Sequence, residues 1–500
     1  MLFTIPEIDL LALSPVLAIT LTGCAVMIVD LFTPRHARKG HLAVVALIGL
    51  VITAAMSIFA WDYFNPDAFA GMLAADNFSQ FFNLLFVFIA SVTIMLSHEQ
   101  LEREDFHAGE YYTLLLFSTA GMMLMANASD FVMVFLGLEL LSICLYILAG
   151  FSRLRLESEE ASMKYLLLGS FASGFLLYGI ALVYGATATT NLGCIAQSLG
   201  VRSEFAPAAC AALPVSPVAV AGLRAPVILL VGMGLVLVGL GFKAAVAPFH
   251  MWTPDVYEGA PTAVTAFMSV AAKAAAFAAI IRVFLVAFPS LALDWGLMIA
   301  LIAIITMIVG NTVAVYQTNI KRMLAYSSIA HAGYILVAIV AASQLGAQSV
   351  LFYTVGYTLM NLGAFAIVIL LGRRGEDNEL LSDYAGLGYR QPVLGALMAL
   401  FMLSLAGIPP TVGFVGKFYI FASALQSGWT WLAIAGVLAS VISVYFYLRV
   451  IYLMYMVEPT REYGAPSHAP WATLAAYVTA AGVLLLGLLP SVVLDWAQES

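Results

Sequence analysis

Charge is what this 500-residue chain has least of: 10% of its residues are Asp, Glu, Lys or Arg, against roughly 25% in soluble domains. With 63% hydrophobic residues and a mean hydropathy of +1.00, that scarcity excludes a soluble globular protein and requires an integral membrane one. Cysteine is scarce too, with four in the chain, and no two have metal-ligand spacing. Cys24 and Cys144 lie in apolar runs as small core residues. Cys194 and Cys210 share one polar connector, where a disulfide is open to them. There is no phosphate loop, no GxGxxG after a strand, no cysteine cluster and too few intramembrane histidines for a haem pair, so neither redox chemistry nor a resident cofactor or metal is expected. The first cation after the amino terminus is Arg35, so no basic n-region and no cleavable signal peptide are expected. The net charge of -8 comes largely from acids in connectors such as 98–110 and 373–383, solvating faces that argue against nucleic acid as a partner.

Long apolar runs are what the chain has in abundance. About fourteen, each near the length of about 20 residues needed to cross a bilayer, cover 10–32, 41–61, 76–97, 111–128, 130–150, 161–186, 226–256, 262–286, 293–316, 323–342, 349–372, 392–423, 430–456 and 470–496. Their apolar character is continuous, without the alternation of a membrane barrel, so the fold is all-α and embedded in lipid. Arg35, Arg38, Lys39, Arg103, Arg153, Arg155, Lys321, Arg322, Arg373, Arg374, Arg390 and Arg461 fall on one side, against Arg202 and Arg224 on the other. The positive-inside rule then puts both termini outside.

Two runs are too long for one crossing. The seventh is interrupted by Gly239, Gly241 and Pro248 around Lys243, and the twelfth by Gly407, Pro409, Pro410 and Gly413 just before Lys417. Such breaks are tolerated where the freed backbone lines a protein-filled or wet interior, and a matched pair points to an ion path. They also suggest two inverted five-helix repeats, helices 4–8 (111–286) and 9–13 (293–456). Helices 1–3 (1–97) and helix 14 (470–500) would flank them.

An ionisable residue inside hydrocarbon costs several kcal/mol and is a functional candidate by default. Glu139 lies about 9 residues into its span, roughly 14 Å at 1.5 Å per residue, near the midplane. Lys243 is similarly deep, and Glu139 is its natural partner; a static ion pair that fixes packing is the plainer reading of both. Lys273 sits in the small-residue run AAKAAAFAA with no acid within helical reach; small neighbours let helices approach closely or let water in, and a lone lysine there suits proton transfer. Bonding to backbone carbonyls is its plainer reading, and Lys417 follows the same logic. Lys164 begins the sixth helix and can snorkel to the inner surface. Arg282 and Arg449 stay protonated and suit anchoring or the organisation of water. His331 in SSIAHAGY suits either titration near neutrality or a static hydrogen-bonded role.

The stretch APFHMWTPDVYEGAPTAVTAFMSVAAKAAAFAAIIRVF, 247–284, resembles the seventh and eighth helices of the antiporter-like subunits of respiratory complex I. LGLELLSICLYIL (136–148), EASMKYLLLGSFASGFLLYG (160–179), NIKRMLAYSSIAHAGY (319–334) and LAGIPPTVGFVGKFYIF (405–421) agree with it. The resemblance covers nearly the whole chain. MWTPDVYEGAPT, the lysine rather than glutamate at 417, and a chain ending soon after its last helix are similar to the N-type members.

The resemblance implies a proton-translocating subunit of NADH:quinone oxidoreductase in a cell inner membrane, with both termini on the periplasmic side. It implies a relay of Glu139, Lys243, Lys273 and Lys417, with Lys164 as a further family lysine. NADH, FMN, iron-sulfur clusters and quinone would belong to other subunits, with M-type and K-type neighbours and the lateral helix of an L-type subunit alongside. A sodium/proton antiporter or membrane-bound hydrogenase component shares these features, and a structural spacer whose charges only hold helices together is a third reading.

Overall fold

The structure is a computed structural model that describes residues 8–34, 39–104, 109–208, 210, 227–372, 378–459 and 469–500. Arg35, Arg38, Arg224, Arg373, Arg374 and Arg461, which carry part of the orientation reading, lie outside the described residues, as do Asp105, Glu376 and Asp377 of the acidic connectors. Six helices open the chain: α1 (Leu10–Leu31), α2 (Gly40–Phe59), α3 (Asn77–Glu104), α4 (Glu110–Ala126), α5 (Phe131–Ala149) and α6 (Leu156–Thr187). A short helix α7 (Leu192–Ser198) precedes an interrupted pair, α8 (Val227–Ala244) and α9 (Thr253–Gly259). Then come α10 (Thr262–Ala287), α11 (Ala292–Ala314), α12 (Ile320–Val340) and α13 (Gln344–Leu371). A second interrupted pair, α14 (Pro392–Ala406) and α15 (Val412–Gln426), leads to α16 (Thr430–Met456), α17 (Pro470–Leu488) and α18 (Ser491–Glu499). Among the described residues twelve helices are long and apolar enough to cross a membrane, and α14 and α15 are shorter apolar helices. Among the described residues only isolated β-bridges between connectors interrupt the all-helical character.

The helices start where short polar side chains satisfy the first free N–H groups. Asp130 accepts from the Val132 N–H at 2.7 Å to open α5. Asn319 accepts from Lys321 and Arg322 to open α12, and Ser343 from Gly346 to open α13. Burial is uneven. The apolar windows of α12 and α13 are 94% buried and that of α10 is 89% buried, against 33% in α1 and α6. The first three therefore form the axis of the molecule, and what they carry cannot reach lipid. α3, which the sequence groups with α1 and α2, is 72% buried.

Arg282 explains the position of α3. Its guanidinium donates to Asp76 Oδ2 at 2.6 Å and to Asp76 Oδ1, to Ser79 Oγ at 3.1 Å and to the Ala126 carbonyl at 3.3 Å. This ties α10 to the start of α3 and the end of α4. Arg449 likewise donates to the Val315 and Gln317 carbonyls at 3.0 and 3.2 Å, pinning α16 to the end of α11. Both arginines are anchors. Lys321, placed by sequence among the aqueous connectors, is instead fully buried; its Nζ donates to Glu379 at 2.8 Å and to the Ala260 carbonyl at 2.9 Å. The Cys194–Cys210 disulfide is formed, with Cα atoms 5.4 Å apart, and staples α7 to the connector that follows it.

Removing Asp76 as Asp76→Ala leaves Arg282 buried without its counter-ion and is expected to lower stability by about 3–5 kcal/mol, read as a lower Tm of the detergent-solubilised protein. A maleimide added to the denatured protein should label Cys194 and Cys210 only after reduction.

Candidate functional site

Each helix break delivers a lysine. Lys243 lies in the last turn of α8, where the chain leaves helical geometry through Ala245 at φ 59°. The freed groups find partners: Trp252 Nε1 donates to the Phe242 carbonyl at 3.1 Å, and the Ala247 N–H donates to Thr306 Oγ1 at 3.0 Å. Lys243 Nζ donates to Ser142 Oγ at 2.9 Å and to the Tyr165 hydroxyl at 3.0 Å. It also stands 5.0 Å and 5.8 Å from the ring centroids of Tyr165 and Tyr146, whose faces attract a cation. Tyr165 is held by Trp252, stacked on it at 4.4 Å. Ser142, Tyr146, Ser173 and Lys243 share a cavity of about 10 Å³, the size of one water.

Glu139 is one turn before Ser142 on α5 but does not touch Lys243. Among the described residues no ion pair within 4.0 Å joins them, and Glu139 Oε1 is buried with no hydrogen-bond partner. The expected contact pair is therefore replaced by a lysine on two hydroxyls with a half-buried carboxylate nearby. Helical spacing puts Glu139 on the outward stripe of α5 that exposes Val132, Leu136, Ile143 and Ile147.

At the second break Gly407 has φ 87°, a conformation open to glycine, and a Cβ there would lie 3.0 Å from Lys417 Cδ. Lys417 follows the break, in the second turn of α15, and reaches back across it. Its Nζ donates to the Leu405 and Ala406 carbonyls, both at 3.0 Å, and to Ser440 Oγ at 3.0 Å. Those carbonyls are orphaned by the end of α14, at the negative end of its dipole. The Tyr334 ring lies 5.0 Å from the ammonium.

In α10 the α-helical turns resume at Lys273 directly after a π-helical stretch, Met268–Ala272, and a second such stretch begins at Arg282. Local widening of this kind is frequent at functional sites. Lys273 Nζ donates to the carbonyl of Ser328 and to Ser328 Oγ at 2.5 Å. Ser328, His331 and Tyr334 follow at spacings of three on α12, one face of a helix. That face runs from Lys273 to Lys417. His331, 1% exposed, joins Tyr353 through Nδ1 at 2.6 Å and Tyr447 through Nε2 at 3.0 Å. The Tyr357 ring lies between, 5.8 Å from Lys273 Nζ and 5.0 Å from the His331 ring.

The structure thus gathers Lys273, His331 and Lys417 in one cluster and Lys243 in another. Among the described residues no hydrogen bond joins the two. An aromatic string spans the gap: Trp252 on Tyr165, Tyr257 6.1 Å from Trp252, and the Tyr257 hydroxyl against Ser328. Lys164 belongs to neither cluster. Its side chain is 41% exposed and pairs with Glu160 and Asp255, both at 2.7 Å, so it snorkels. Arg322 extends that surface network to Asp255 at 2.8 Å and Glu258 at 2.7 Å, which fixes α9 between α6 and α12. Ser142, Tyr165, Ser328, Tyr353 and Tyr447 were not singled out from sequence. The first three lie within or beside quoted motifs, three residues from Glu139, next to Lys164 and three residues from His331; nothing in the sequence marks Tyr353 or Tyr447.

The family described as "NADH:quinone oxidoreductase/Mrp antiporter, TM" matches residues 128–443, which contain both breaks, Lys164, Lys243, Lys273, Lys417, Glu139 and His331. The chain belongs to this family. Among its relatives, NADH-quinone oxidoreductase subunit N of Trichlorobacter lovleyi is 47% identical over 99% of this chain and 97% of its own length. Subunit N 1 of Herpetosiphon aurantiacus is 46% identical over 99% and 97%. A chain of respiratory complex I from Thermus thermophilus superposes with a TM-score of 0.78 at 35% identity, covering 96% of this chain and 98% of that one. A chain of the Mrp complex from Dietzia shares the fold at 21% identity and a TM-score of 0.78, over 98% and 97%.

Because Tyr165 carries a hydrogen bond to a buried ammonium, Tyr165→Phe should cost about 1–3 kcal/mol. Lys164→Ala, at an exposed pair, should cost no more than about 1 kcal/mol. Thermal denaturation of the two variants side by side checks the contrast.

Proposed function

We propose that this protein is the N-type, proton-translocating membrane subunit of a NADH:quinone oxidoreductase, and that Glu139, Lys243, Lys273, His331 and Lys417 carry the proton. The observation that carries this reading is the α12 face Ser328–His331–Tyr334, which connects two buried lysines by side chains able both to give and to accept a proton. Kinship with subunits of that name supports the assignment to the complex.

In this reading a proton on Lys273 Nζ passes to Ser328 Oγ and on to His331, and Lys417 receives or releases it at the second break. Lys243 loads through Ser142 and Tyr165, with room for one water beside it. Contact at about 4 Å and an effective dielectric near 20 would hold an ion pair by about 4 kcal/mol. Glu139 stands beyond that contact, so its hold on Lys243 is weaker and open to adjustment by whatever adjoins α5. The unpaired Glu139 oxygen on an outward apolar stripe supports a neighbouring subunit at that face.

The same reading puts the chain in a cell inner membrane with both termini on the periplasmic side. Its neighbours are M-type and K-type subunits, with the lateral helix of an L-type subunit alongside. NADH, FMN, iron-sulfur clusters and quinone are handled by other subunits, and nothing in this chain supplies the driving energy. The two blocks at 111–286 and 293–456 are read as inverted repeats, supported by a break in the fourth helix of each; 1–97 and 470–500 flank them.

In membranes carrying Lys243→Ala or Lys273→Ala, proton pumping measured against NADH:quinone electron transfer should fall at least about tenfold, with assembly verified on a native gel. Normal pumping in a fully assembled complex would leave these lysines as structural charges.

A further inference from the structure

His331 has a second connection that the lysine axis does not use. The Tyr447 hydroxyl, on α16, meets His331 Nε2 at 3.0 Å and also Ser327 Oγ. Tyr447 and Ser327 are both fully buried. Ser327 lies beside Ser328 on α12 yet does not bond Lys273, and Tyr447 matches none of the motifs. Ser327 precedes His331 on α12, toward the end that holds Arg322, and Arg449, two residues past Tyr447 on α16, donates to the Val315 and Gln317 carbonyls just before that end. Ser327 is seven residues from the helix start at Ile320, roughly 10 Å, and His331 is eleven, roughly 16 Å. On the other side of the ring, Nδ1 meets the Tyr353 hydroxyl at 2.6 Å, and Tyr353 packs against Gly416, the residue before Lys417.

We propose that Ser327 and Tyr447 form a proton-delivering branch from the charged face of the protein that joins the lysine axis at His331. It rests on the axis reading above and adds to it an entry point. A hydroxyl has one proton to donate, and a neutral imidazole has one donor and one acceptor nitrogen. The order Ser327–Tyr447–His331–Tyr353 is therefore directional. When Tyr447 donates to Nε2 it accepts from Ser327, and when Nε2 carries hydrogen the sense of both bonds reverses. Delivery moves one proton per pass. The Ser327 O–H proton bonds to the Tyr447 oxygen as the Tyr447 proton bonds to Nε2, and Ser327 regains its proton from a water that the branch requires to reach it along α12 from the charged face, roughly 10 Å away. His331 then holds a proton on each nitrogen and releases the one on Nδ1 by way of Tyr353 toward Lys417. No electron or heavy atom moves, and Tyr447 touches the reacting imidazole directly.

The test compares Tyr447→Phe, Ser327→Ala and Ser327→Thr in the whole complex with Lys273→Ala alongside, reading the proton-to-electron ratio in sealed membranes and assembly on a native gel. Phenylalanine keeps the ring and removes the hydroxyl; threonine keeps the hydroxyl. Tyr447→Phe and Ser327→Ala are expected to lower coupled pumping by roughly tenfold in an assembled complex, and Ser327→Thr to restore it, a rescue that a packing role would not give. A normal ratio in Tyr447→Phe and Ser327→Ala while Lys273→Ala fails to pump would overturn the branch and leave the axis. A normal ratio in Lys273→Ala as well would overturn the axis and the branch with it. Should Tyr447→Phe fail to assemble, the Ser327→Ala and Ser327→Thr pair decides: equal pumping by both overturns the branch.

Discussion

An ammonium group withdrawn from water has to be surrounded by oxygen, and the rest of this structure is arranged around that requirement. The oxygen comes in two kinds here. Lys164, Lys321 and Arg282 are held by carboxylates, with opposite charge to fix them, and each joins helices that would otherwise part. Lys243, Lys273 and Lys417 are held by hydroxyls and backbone carbonyls alone. Neutral oxygens satisfy the donors without cancelling the charge, which sets these three sites apart from the carboxylate-bound cations.

The backbone is shaped to supply those oxygens. Ending α14 at Gly407 frees the Leu405 and Ala406 carbonyls, and Lys417 returns from beyond the break to use them. The end of α8 at Ala245 places Lys243 where α5 and α6 offer a serine and a tyrosine. Between the breaks, the most buried helices contribute the ladder on α12, enclosed by tyrosines from α13 and α16 that shield it from lipid.

Much of this was legible in the sequence. A charge in a 20-residue apolar run has few explanations, so Glu139, Lys243, Lys273 and Lys417 stood out, and glycine with proline located both breaks. The crossings followed from length and hydropathy. What sequence could not supply is which side chains meet. Glu139 and Lys243 made an obvious pair by sign, yet Ser142, one turn further along α5, and Tyr165 took the contact, and the buried Glu139 oxygen stands apart from it. Lys321 read as a connector cation for its neighbours Arg322 and Asn319, but Glu379 and the Ala260 carbonyl, distant in the chain, draw it inside. Tyrosine in a membrane protein is too common to mark Tyr353 or Tyr447. The π-helical stretches around Lys273 and Arg282 leave no trace in AAKAAAFAAIIRVF.

Lys417 has three acceptors at 3.0 Å, and an ammonium has three hydrogens. A neutral amine has two hydrogens and a lone pair. Departure of the proton therefore leaves one oxygen of the joint without a donor and one nitrogen orbital without a hydrogen, in a place where neither deficit is tolerated cheaply. A single water, donating once to the carbonyl and once to the amine, repairs both. Hydration at this joint would in that sense be counted in whole molecules, one water taking the place of one departed proton.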